Sequence, residues 1–116
     1  MDQPPDHTIN PRYMGISTFM RTPHVQDPTT LDIAMVGVPF DGGVTNRPGA
    51  RHGPREVRNQ SSLIRRVHHV SKINPLKLCK VGDVGDTPVN PINLTKSIEM
   101  IEEFYHPLAE AGVIPL

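Results

Sequence analysis

The longest apolar run in the chain is Leu31 to Val38 (LDIAMVGV), and it lacks period-two alternation. A strand buried on both faces reads this way, and such strands belong mostly to parallel sheets covered by helices. Pro39 to Gly53 (PFDGGVTNRPGARHG) then predicts a long glycine-rich loop. Gly53-Pro54 predicts a helix start, because proline at the first helical position gives up an N–H that has no partner there anyway. That helix is expected from Pro54 to Arg66, with Val57, Ile64 and Val67 as its apolar contacts. A polar connector containing Asn74-Pro75 follows. Leu76 to Val84 (LKLCKVGDV), alternating at its start, predicts the second strand, and Gly82 to Asp86 (GDVGD) is expected to close it with a turn. Asn93 caps a helix expected from Leu94 to Ala111, in which Leu94, Ile98, Ile101, Tyr105 and Leu108 share one face. Pro107 lies inside it and predicts a kink or interruption near Glu103. Gly112 ends the helix, and Val113 to Leu116 begins a third strand.

Strands alternating with helices point to βαβ units, a parallel sheet and the α/β class. The third strand has hardly begun at Leu116, so the domain is expected to be incomplete, with exposed sheet edges. Ahead of it, residues 1–30 carry Pro4, Pro5, Pro11, Pro23 and Pro28, which forbid a long helix. The locally apolar stretch Tyr13 to Met20 inside this segment suggests an extended arm. It would pack on another part of the full chain or on a neighbouring subunit; a disordered leader is the alternative. The organisation expected is therefore an arm over 1–30 and a βαβα portion over 31–116.

Composition narrows the function classes. With 13 prolines, 9 glycines and no tryptophan, 116 residues make a loop-heavy chain with few large side chains for a core. Twelve basic residues balance twelve acidic ones, so neither nucleic acid nor an anionic membrane is an expected partner. A lone cysteine, Cys79, excludes an intramolecular disulfide and fits a reducing compartment. No secretory signal or membrane-length apolar run is visible, so the expected location is cytoplasmic.

The glycine-rich loop is the first candidate for chemistry, since open α/β sheets take ligands beyond the carboxyl ends of their strands. It has neither the Gly-Lys-Ser/Thr of a P-loop nor the Rossmann spacing. Loops of this length usually line a site or an interface. Asp83 and Asp86 could bind metal with a histidine, but none follows until His106, and turn chemistry is the favoured reading. His68 and His69 are adjacent and would point apart on a helix, whereas His52 could face a pocket. Arg55, Arg58, Arg65 and Arg66 read as a solvated face or a subunit contact, and Cys79 as a small buried residue inside a strand. No Ser/His/Asp arrangement is present. The residues alone lead to a parallel α/β domain with a ligand-side loop, and they name no reaction.

Four phrases in order carry a resemblance. They are the arm Pro11 to Arg21, the strand and loop Gly37 to Asp41 with Asn46 to Pro54, Gly82 to Asp86, and Ala111 to Leu116. Together they resemble the N-terminal part of the ureohydrolase (arginase/agmatinase) family, in its agmatinase/guanidinobutyrase-like branch. The resemblance implies a three-layer α/β/α fold with a mostly parallel sheet, assembled as a homotrimer or homohexamer. It also implies two manganese ions (Mn2+) whose shared water attacks a guanidino substrate, releasing urea and an amine. The family's metal ligands lie in a Gly-Gly-Asp-His motif and later aspartate-rich motifs, which no position here matches. No metal ligand or catalytic residue is therefore carried over, and these 116 residues alone are expected to be inactive. Carried over is the loop near the substrate mouth: Phe40, Asp41, Thr45, Asn46, Arg47, Arg51 and His52. The substrate implied is a guanidino compound such as agmatine or 4-guanidinobutyrate, with 3-guanidinopropionate also open; Arg47 and Arg51 would suit the anionic guanidino acids if they face the pocket. The competing class is a non-catalytic module, or degenerate paralogue, that docks onto full ureohydrolase subunits.

Overall fold

The structure, a computed structural model, describes residues 8–116, so Pro4 and Pro5 of the arm lie outside it. Three parallel strands form one sheet: β1 (Ile33–Gly37), β2 (Val81–Asp86) and β3 (Ile114–Pro115), in the order β2-β1-β3. Ile33 pairs with Val81 on one side and with Ile114 on the other. This is the parallel α/β arrangement that the buried apolar run of β1 calls for. The connections run in opposite directions across the sheet, and right-handed crossovers place such connections on opposite faces. The alternation of side chains along β1 fits this. Ala34, fully buried, packs with Leu108 and Val113 on the face of the long helix α3 (Leu94–Glu110). Met35 and Gly37 instead border a cavity walled by Pro54 and Val57 of α1 (Gly53–Ser61).

Helix α3 begins where Asn93 accepts the Lys96 amide at 2.9 Å and ends before Gly112, whose φ of 71° suits glycine. It continues through Pro107 without interruption. Proline there removes one hydrogen bond in the last turn, too near the end to break the rod. Its buried face is also rotated from the expected one. Ser97 and Leu108 are buried, whereas Leu94 and Ile98 are about half exposed. Ser97 explains the rotation, because its hydroxyl donates to the Asn90 carbonyl at 2.7 Å and accepts the Asn90 amide at 2.9 Å. A fully satisfied serine can face inward, which an apolar-only count does not register.

Two further expectations are corrected. Helix α1 stops at Ser61 instead of reaching Arg66. Ser61 and Ser62 each turn a hydroxyl onto the carbonyl three residues back, at 2.8 and 2.7 Å, a competition that favours helix ends. The second strand loses its first half: Pro75–Leu78 is a short helix, α2, capped by the Asn74 side chain on the Leu76 amide. Asn-Pro is a helix start, and it outweighs an apolar alternation only a few residues long. Cys79 therefore follows a helix and is half-buried, outside any strand.

Residues 23–25 bridge the outer edge of β2 at Asp83. The Val25 amide donates to the Asp83 carbonyl at 2.9 Å, and the Asp83 amide donates to the Pro23 carbonyl at 2.8 Å. That pairing covers an edge that would otherwise present bare backbone donors and acceptors. Just before it, the chain turns at Met20 and Arg21, whose φ values of 50° and 57° are uncommon for residues with side chains. Outside groups hold the turn: the Met20 amide donates to Ser61, and Arg66 donates to the carbonyls of Met20 and Arg21. Arg21 in return donates to the Ser62 and Ile64 carbonyls. No described helix is long and apolar enough to cross a membrane.

Candidate functional site

The carboxyl ends of β1 and β2 carry the polar features of the molecule. In a regular strand, residues three apart point to opposite faces. Asp83 and Asp86 nevertheless reach the same guanidinium, that of Arg58 on α1, at 2.8 and 2.6 Å. The strand pairing shows how. Met35 pairs with Asp83 but Gly37 pairs with Asp86, so β2 has one residue more than β1 over this span. Gly85, at φ 81°, accommodates this bulge. The GDVGD segment is thus a bulged strand, not the turn expected from its composition. Gly37 sits where the elements converge, and a Cβ there would meet Asp86 Oδ1 and lie 2.9 Å from Pro54 Cβ.

Asp83 is buried, with 1% of its side chain exposed, and its oxygens are fully engaged. Arg58 reaches them through Nε at 2.8 Å and Nη2 at 3.1 Å, and the amides of Phe19 and Gly85 add donors at 2.8 and 2.9 Å. Burial works against the Asp83 charge, but the Arg58 bonds and the two amides outweigh it, leaving its carboxyl below the usual range. The Arg58 side chain is only 15% exposed, which corrects its reading as part of a solvated basic face. The usable signal in the sequence was Gly85, a residue able to bring positions 83 and 86 to one side.

The β1–α1 loop is organised by a second carboxylate. Asp41 Oδ2 accepts the Gly49 amide at 2.7 Å and the Arg51 amide at 3.3 Å, while Oδ1 accepts Arg51 Nε at 2.8 Å. Arg51 Nη2 also lies 2.7 Å from Oδ1, so both guanidinium nitrogens meet one oxygen of a carboxylate that is 1% exposed. The Arg51 guanidinium, helped by the two amides against the effect of burial, holds the Asp41 carboxyl down to about 2. Gly49 has a φ of 149°, which favours glycine at the point where the loop turns back. Phe40, half-buried, covers Gly42 so closely that a Cβ there would lie 2.6 Å from its ring.

The structure therefore brings together Asp41 and Arg51 from the loop residues singled out by sequence. Thr45, Asn46, Arg47 and His52 stand exposed, His52 in a short 3-10 turn that leads into α1. Arg47 has no ion pair among the described residues. Between the end of β1 and α1 lies a mostly apolar cavity of about 300 Å³, bordered by Phe19, Met35, Val38, Val57, Arg58 and Leu116. The pair of manganese ions implied by the resemblance does not fit here. Among the described residues no group of three or more His, Cys, Asp or Glu side chains converges, and Asp83 and Asp86 are both committed to Arg58. The arrangement can shape and charge the loop beyond β1.

The family model for the arginase family matches residues 31–116. Over 114 residues, the chain is 59% identical to the guanidinopropionase of Pseudomonas aeruginosa, covering 98% of this chain and 36% of that protein. It is 41% identical over 115 residues to the mitochondrial guanidino acid hydrolase of Homo sapiens, covering 99% of this chain and 33% of that one. Among solved structures, the proclavaminate amidino hydrolase of Streptomyces clavuligerus superimposes with a TM-score of 0.83 at 36% identity. That superposition covers 87% of this chain and 34% of the other. The chain spans about a third of the length of the curated relatives it matches.

Proposed function

This chain belongs to the arginase family, and from that premise we propose that the whole protein is an amidinohydrolase cleaving a guanidino acid to urea and an amine. The observation that carries the substrate class is the charge left free on the β1–α1 loop. Its single acidic residue, Asp41, is held by Arg51, while Arg47 remains exposed without an ion pair among the described residues. A loop so charged suits a substrate whose far end is a carboxylate and disfavours one ending in an amine. The names of the two relatives, guanidinopropionase and guanidino acid hydrolase, support the same choice.

In this reading the 116 residues contribute scaffold and pocket rim and are inactive by themselves. Manganese belongs to residues outside them. A homotrimer or homohexamer in the cytoplasm completes the proposal; light scattering and fractionation would check both. The deciding experiment is a urea-release assay on the full-length protein with 3-guanidinopropionate, 4-guanidinobutyrate and agmatine. Faster release from the two guanidino acids is expected. Preference for agmatine would overturn the substrate class, and no urea from any guanidino compound would overturn the enzyme and favour the docking module.

A further inference from the structure

We infer that Asp41 and Arg51 are positioning residues: paired, they latch the β1–α1 loop into one conformation and leave Arg47 as the cation available to the substrate. The role given to Arg47 rests on the guanidino-acid reading above; the latch itself does not.

The loop needs such a device. Gly42, Gly43 and Gly49 give it wide backbone freedom, and residues 42–51 are almost all exposed, so packing orders little of it. The only acidic residue of the loop gathers its two ends, binding Gly49 and Arg51 across 8 and 10 positions of sequence. Arg51 brings Nε and Nη2 to Oδ1 while its own backbone amide donates to Oδ2, so one residue engages both oxygens. Every side-chain hydrogen bond of Asp41 stays within the loop; none reaches β2 or α3. Loss of the latch should therefore loosen the rim while leaving the sheet intact. A loose rim must be ordered when substrate binds, and that cost falls on binding more than on the chemical step.

The test uses the full-length protein with 3-guanidinopropionate and four variants: Asp41→Asn, Arg51→Gln, Arg51→Lys and the Asp41→Asn/Arg51→Gln double. We expect each of Asp41→Asn and Arg51→Gln to raise KM about tenfold, with kcat within about twofold of the parent. Melting temperature should move by no more than about 2 °C, and amide exchange over residues 42–51 should accelerate. The double variant should be no worse than the worse single, because both act through one contact. Arg51→Lys, keeping the charge without the paired Nε and Nη2 contacts, should fall between parent and Arg51→Gln. Unchanged KM in the singles, a loss confined to kcat, or multiplying KM effects in the double would each overturn the inference. If the parent protein releases no urea, the functional reading fails by itself. Amide exchange then still judges the latch, which unchanged exchange in Asp41→Asn would sink.

Discussion

Two buried aspartates, each held by one arginine, do different work in this molecule. Asp41 and Asp83 each have 1% of the side chain exposed, and each receives an arginine Nε at 2.8 Å plus two backbone amides. Their surroundings differ. Arg51 is 47% exposed, and its pair ties a loop to itself. Arg58 is 15% exposed, and its pair joins α1 to β2 and, through the Phe19 amide, to the N-terminal segment. The energetic consequence of an ion pair depends on what each partner is attached to and how much water can replace it. By that measure the Asp83 pair holds the fold and the Asp41 pair holds a loop.

Removing the arginines one at a time would break this comparison most directly. Arg58→Ala leaves a buried carboxylate without its cation, a situation that costs about 3–5 kcal/mol. Chemical denaturation of the full-length protein should show that loss, together with release of residues 23–25 from the edge of β2 in amide exchange. Arg51→Ala should destabilise the protein far less, because water can reach what the arginine leaves. If the two variants were equally destabilised, the distinction between fold and loop would be wrong.

Acid titration sharpens the same contrast with a smaller effect. Both carboxyls lie below the ordinary aspartate value in the folded protein, so each contributes stability at neutral pH that is lost as the pH falls. For Asp41 the window runs from the ordinary 3.8 of the unfolded chain down to about 2. Over that window the unfolded chain takes up a proton that folded Asp41 refuses; below it both states are protonated and the slope vanishes. Asp83→Asn should flatten the acid limb of global unfolding, read from denaturation midpoints at successive pH values. Asp41→Asn should flatten that limb only between pH 3.8 and about 2 and, unlike Asp83→Asn, should also speed the exchange of loop amides. A global acid limb that depends equally on both residues would contradict the assignment.

How much of this was legible in the sequence depends on the range of the interaction. The β1 run and the Asn93 and Gly112 ends of α3 are local signals, and they lie where sequence pattern placed them. The helical turn at Pro75 is hidden in the sequence because the alternation of Leu76, Lys77 and Leu78 resembles a strand, whereas the Asn-Pro cap before them resembles a connector. The rotation of α3 escaped because Ser97 is polar, and its partner at Asn90 is visible only once the preceding loop has folded. At the site, the position of the loop followed from strand-loop-helix order, but the Asp41–Arg51 bond spans an irregular segment with no period to betray it. Arg58 meets Asp83 across 25 residues and a bulge, beyond any local pattern.

The smallest predicted effect separates the two carboxylates that share Arg58. Asp86 reaches Nη1 at 2.6 Å, shorter than either contact of Asp83, so distance alone would rank it the stronger partner. Its side chain is 41% exposed, however, and water can take its place. Exposed pairs contribute about 0–1 kcal/mol. Asp86→Asn should therefore cost no more than about 1 kcal/mol, since the amide oxygen can still accept from Arg58 and Asp83 continues to neutralise it. Denaturation midpoints of the Asp86→Asn and Asp83→Asn proteins, measured side by side, give the answer. A larger loss at Asp86 would mean that the short contact, and not burial, governs this network, and the ranking of all three carboxylates would have to be reversed.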